Sequence, residues 1–120
     1  MADARVLRDL AEKVEGLDGP SCETEKRIWR ALNPHAYGFS ANQAEAYTGS
    51  VDAAMTMKPP RWRLASLQEE PPEIGGWRAT GHRASPGVAI EGAAAKTASL
   101  TVTALWLRAL AADLERTDAP

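Results

Sequence analysis

Near the N-terminus Val6, Leu7, Leu10, Val14 and Leu17 recur at steps of three and four, with Arg8, Asp9, Glu12 and Lys13 between them. This period predicts an amphipathic helix from about Ala2 to Gly16. Gly16 and then Asp18-Gly19-Pro20 stop it, since glycine tolerates positive φ and proline cannot continue a helix. Ser21 is placed to cap a second helix ending at Leu32, with Glu23 and Glu25 near its positive end. Its inner stripe is Ile28 and Leu32, with Cys22 and Trp29 beside it, and Asn33-Pro34 closes it.

From residue 34 to 46 no period is visible, which predicts a loop anchored only by Tyr37 and Phe39. Tyr47-Thr48-Gly49-Ser50 then caps a short helix, Val51 to Met57, with Tyr47 folding back on it as a hydrophobic staple. Lys58-Pro59-Pro60 ends that helix. Trp62 and Leu64 next alternate with Arg61 and Arg63, a period of two that marks a strand to Leu67. The acid-, proline- and glycine-rich stretch Glu69 to Gly76 is a connection. A second strand to Arg83 puts Trp77, Ala79 and Gly81 on one side, with Arg78, Thr80 and His82 on the other. Val88-Ala89-Ile90 forms a third, edge strand, and connections this short imply an antiparallel meander.

The closing helix runs from about Lys96 to Glu115. Leu100, Ala104, Leu107, Leu110 and Leu114 repeat at helical spacing, and Val102, Trp106 and Ala109 widen the apolar face. A helix apolar on more than one side is expected between two other layers. The fold class is therefore α/β (α+β), in the order α-α-α-β-β-β-α. A small antiparallel three-stranded sheet is sandwiched between the N-terminal helices and the long C-terminal helix. One domain is expected: a helical pair (1–33), a loop (34–46), the helix, meander and closing helix (47–115), and a tail (116–120).

Composition narrows the function classes. The 120 residues are 44% hydrophobic and 25% charged, with a formal net charge of −2, so no strong field draws the chain to nucleic acid or anionic lipid. A single cysteine excludes an internal disulfide and a cysteine-rich zinc site. The N-terminal residues interleave acids and bases and do not read as a signal peptide. No apolar run reaches the length of a membrane span. A soluble, cytoplasmic protein is the expectation.

At Ala46-Tyr47-Thr48-Gly49-Ser50-Val51-Asp52-Ala53-Ala54 the chain resembles the small proteins grouped as the phage ABA (α/β/α) sandwich domain. These carry a Tyr-Thr-x-Ser-x-Asp-Ala-Ala segment before a strand that begins near a Trp, the place Trp62 fills here. Gly76-Trp77-Arg78-Ala79 is similar to that family's second strand, and Ala93 through Ala111 to its closing helix. Leu17-Asp18-Gly19-Pro20-Ser21, with Glu23 and Ile28, is similar to its opening of helix two. The resemblance implies a layered fold and a phage or prophage origin, and brings no reaction or cofactor.

Candidate chemistry is sparse. His35, His82 and Cys22 are the only residues from which a Cys–His pair is available. Cys22 reads as a packed cysteine on the inner face of its helix, so no catalytic residue is assigned and no enzyme is expected. No metal-ligand spacing or phosphate-binding loop occurs. If Trp62, Leu64, Trp77 and Ala79 share one layer, then Arg61, Arg63, Arg78 and His82 share the opposite face, where arginines accept phosphate groups. The plainer reading is a solvated face neutralised by Glu69, Glu70 and Glu73. Trp62, Trp77 and Trp106 are in phase with the core. Trp29, with Tyr37 and Phe39, forms either an apolar patch for a partner or a lid over the core. The leading expectation is a non-enzymatic phage or prophage accessory protein without a cofactor, binding a protein partner or its own copies. The alternative is a nucleotide-like or nucleic-acid ligand on the basic strand face.

Overall fold

The computed structural model describes residues 3–33, 46–85 and 87–118. The elements are α1 (Ala4–Glu15), α2 (Cys22–Leu32), α3 (Val51–Met55), β1 (Trp62–Glu69), β2 (Trp77–Arg83), β3 (Ala89–Ala95) and α4 (Ala98–Asp118). Each helix begins where a side-chain oxygen satisfies a donor that has no intrahelical partner, an arrangement worth about 1 kcal/mol per cap. Asp3 accepts from the Val6 N–H at 3.0 Å, Ser21 from Thr24 at 3.2 Å, Ser50 from Ala53 at 3.2 Å and Thr97 from Leu100 at 3.1 Å.

The strands form an antiparallel meander in the order β1-β2-β3. Trp62 pairs with Arg83 and Leu64 with Gly81; the register then shifts at Ala65, so that Ser66 meets Thr80 and Leu67 meets Ala79. This bulge changes which parity of β1 faces the core. Trp62 and Leu64 face α4 before it, and Leu67 after it. Between β1 and β2, Gly75 and Gly76 have φ of +77° and +81°. A Cβ on Gly76 would lie 2.5 Å from the Ala95 carbonyl oxygen, so only glycine fits there.

The fold class, the element order and the three-stranded antiparallel meander are those the residue pattern predicts. The order of the layers differs. The middle layer is α4, against which the sheet, α1 and α3 all pack. Leu100, Val102, Ala104, Leu105, Trp106, Leu107, Ala109 and Ala111 are all buried. A helix apolar all round belongs in an interior, whereas each strand here has only one apolar side. Gly81 permits the close approach of α4 to β2, because a Cβ there would stand 3.2 Å from the Trp106 ring.

α1 lies along β3 as well as α4. Arg8 bridges Glu91 of β3 at 3.3 Å and Glu115 of α4 at 2.7 Å. Glu15 pairs with Arg108 and accepts from the Ala94 N–H at 3.4 Å. Further differences concern local detail. The third strand extends to Ala95 rather than ending at Ile90, because its inward positions Ala93 and Ala95 are too small to signal a strand by hydrophobic volume. Cys22 is exposed rather than packed. The buried stripe of α2 is Thr24, Glu25, Ile28 and Ala31, rotated because Glu25 turns inward to meet Thr48.

Candidate binding face

The strand register divides the outer face of the sheet, the side away from α4, into three rows. The first is Arg63, His82 and Ile90. The second is Ser66, Thr80 and Gly92, all small. The third is Gln68, Arg78 and Ala94. Among the described residues no helix covers this face: Arg63, Gln68, Arg78, Ile90, Gly92 and Ala94 are exposed. Ile90 is 65% exposed and Val88, just before the strand, 74%. Two large aliphatics left in water side by side are unusual for a strand end.

Of the four basic residues expected on this face, the register puts Arg63, His82 and Arg78 on it, in two separate groups, and Arg61 lies before the strand. Arg63 and His82 are direct cross-strand partners, a relation that places Cβ atoms about 5 Å apart. Arg61 precedes them in a left-handed conformation, φ +74°, and is exposed. Arg78 stands four residues from His82, about 13 Å along the strand, and is paired with Glu70. The acid-rich connection thus neutralises Arg78, as the plainer reading of the sequence held, and leaves Arg61 and Arg63 without an ion pair among the described residues. A convergent four-cation phosphate cradle is not present.

Trp29 is half-buried and packs against the core. Tyr37 and Phe39 lie outside the described residues. At the hairpin end of the sheet a cleft of about 500 Å³ is lined by Glu15, Glu70, Ile74, Trp77, Arg78 and Lys96. Its cations each have a carboxylate: Arg78 with Glu70 and Lys96 with Asp18. The Lys96 hydrogen bond holds the Asp18 carboxyl below its ordinary range.

The strand phase also holds a buried arginine that was not singled out from sequence. Arg83 shares the parity of Trp77, Ala79 and Gly81, so it points at α4. There it pairs with Asp113 and donates to the Gly87 carbonyl at 3.1 Å. Its guanidinium lies 5.5 Å from the centre of the Trp62 ring, and Trp62 Nε1 donates to the same carboxylate at 3.1 Å. A buried cation needs such a partner; this trio joins β1, β2 and α4 and is structural.

Among the described residues no group of three or more His, Cys, Asp or Glu is arranged to hold a metal ion, and no helix is long and apolar enough to cross a membrane. Comparison with protein-family models, with curated proteins and with solved structures gives no match.

Proposed function

We propose that the protein is a non-enzymatic accessory module that binds a protein partner on the open face of its sheet, in the phage or prophage setting its sequence resemblance implies. The observation that carries this reading is the exposed pair Val88 and Ile90 beside Arg63 and His82. Aliphatic area next to an arginine that has no carboxylate partner among the described residues suits a segment bearing both apolar and acidic side chains. The small middle row, Ser66, Thr80 and Gly92, lets such a segment lie close to the backbone.

Selection from a random peptide library tests it. Enriched sequences combine acidic and aliphatic residues, and the enrichment disappears with Ile90→Asp plus Arg63→Glu. Enrichment that survives both substitutions, or none at all, contradicts the reading.

A second reading rests on the Arg63–His82 juxtaposition alone: a phosphate-bearing ligand, either a nucleotide or a nucleic-acid backbone. Such binding falls steeply with salt and is lost with Arg63→Ala. The separation of Arg78 from this pair, and its neutralisation by Glu70, favour the protein partner.

A further inference from the structure

The two edges of the sheet are treated differently. The β3 edge is flanked by α1, whose Glu15 accepts from the Ala94 N–H and whose Arg8 holds Glu91. Among the described residues no helix flanks the β1 edge; apart from the Trp62 carbonyl, which accepts from Lys58 Nζ, its outward backbone groups are open to another strand. The charges along β1 are antisymmetric. Arg61 and Arg63 lie at its start, where Lys58 also places its ammonium on the Trp62 carbonyl at 2.7 Å. Glu69 and Glu70 lie at its end. Arg61, Arg63 and Glu69 are exposed and have no ion pair among the described residues.

We propose that β1 pairs antiparallel with β1 of a second copy across a two-fold axis, joining two three-stranded sheets into one of six strands. Antiparallel self-pairing brings the basic half of each strand onto the acidic half of the other, so the complementarity counts twice in an isologous contact. Residues opposite one another across a ladder share a face. The register centred on the strand satisfies this: Leu64 meets Leu67 of the partner subunit on the α4 side, and Arg63 meets Gln68 of the partner subunit on the outer side. Trp62 then lies across from Glu69 of the partner subunit, and Glu70 of the partner subunit, which also pairs with Arg78 of its own chain, lies diagonal to Arg63.

The bulge at Ala65 falls at the axis, so the ladder consists of two symmetry-related short segments. A contact this small buries less than the ~1,200 Å² of a standard interface, and the dimer is accordingly weak and reversible. Arg63 belongs both to the outer face and to this contact, whereas Ile90 lies on β3, so Ile90→Asp alone is expected to leave self-association unchanged and Glu69→Arg to act on self-association.

Sedimentation velocity on the full chain from about 5 to 500 µM spans weak association. The expected result is a concentration-dependent passage from monomer to dimer. Arg61→Glu with Arg63→Glu makes the edge acidic throughout, and Glu69→Arg makes it more basic. Each shifts self-association to at least about tenfold higher concentration, while an equimolar mixture of the two variants forms the heterodimer. These side chains are exposed, so both variants melt as the wild type does, and either one alone suffices to read the effect. A wild-type monomer across the whole range, a dimer indifferent to both charge changes, or a mixture that does not associate overturns the proposal.

Discussion

Glu25 and Thr48 are 23 residues apart in the chain and meet in the interior, where one carboxylate oxygen accepts both the Thr48 N–H at 3.0 Å and its hydroxyl at 2.6 Å. The same hydroxyl accepts from the Ser21 N–H at 2.8 Å, and the Thr48 carbonyl accepts from Ser99 at 2.9 Å. Next to it, Thr103 donates to the Tyr47 carbonyl at 2.7 Å. A turn with no regular ladder thereby finds partners on α2 and α4. Removing one partner leaves buried donors unmet, at about 1–3 kcal/mol each. Glu25→Ala is expected to destabilise by about 2–3 kcal/mol in urea unfolding, Thr48→Val by a similar amount, and the double variant by clearly less than the sum. Strict additivity would show that the two do not act together.

The two fully buried tryptophans differ in one atom's surroundings. Trp62 Nε1 donates to Asp113, whereas Trp106 Nε1 is buried with no hydrogen-bond partner among the described residues. Both lose similar volume on replacement by Phe, and only Trp62 also loses a charge-assisted hydrogen bond, worth about 1.5–3 kcal/mol. Trp62→Phe is expected to cost more than Trp106→Phe by at least ~1 kcal/mol. Equal losses in equilibrium unfolding would contradict the assignment.

Acid dependence follows from α1 and α4. The hydrogen bond from Arg8 holds the Glu115 carboxyl below the ordinary glutamate range. A carboxyl depressed in the folded state adds stability above the unfolded value, and that stability is lost as pH falls through the folded one. Both groups face solvent, so the gain is at most about 1 kcal/mol and is screened by salt. Glu115→Gln is expected to be slightly less stable than wild type at pH 7, the gap closing as pH falls below the ordinary glutamate range. A gap that persists in strong acid would place its origin in packing instead.

The caps at Ser21 and in the Tyr47-Thr48-Gly49-Ser50 segment, the connection through Gly75-Gly76 and the phase of β2 were legible because each is written in neighbouring residues, whereas the caps Asp3 and Thr97 and the bulge in β1 were not read. Period two assigned Arg61, Arg63, Arg78 and His82 to one face; the structure keeps the last three there, and Arg61 falls before β1 with φ +74°. What the local pattern does not carry is pairing across the fold: Arg78 with Glu70, Glu25 with Thr48, and Arg83 with Asp113. The parity of β2 already put Arg83 among the core residues, a signal that a buried ion pair was required. The last part of β3 was hidden because alanine and glycine carry little hydrophobic contrast. The layer order turned on α4, whose two-sided apolar character was visible in sequence but assigned to the wrong position in the stack. The Tyr47-Thr48-Gly49-Ser50 segment is likewise accounted for by hydrogen bonds and the cap of α3, and so speaks for architecture.

The central claim is that the open sheet face binds. It is tested most directly by placing a photo-activated cross-linking residue at position 90 in one variant and at position 13 in another. Lys13 is exposed on α1, on the side of the helix opposite Arg8 and Glu15, which face β3. Illumination in bacterial cells is expected to give discrete protein adducts from position 90 that vanish with Arg63→Glu, and none from position 13. Adducts from position 13 with none from position 90, or adducts from position 90 that ignore Arg63→Glu, would contradict the account.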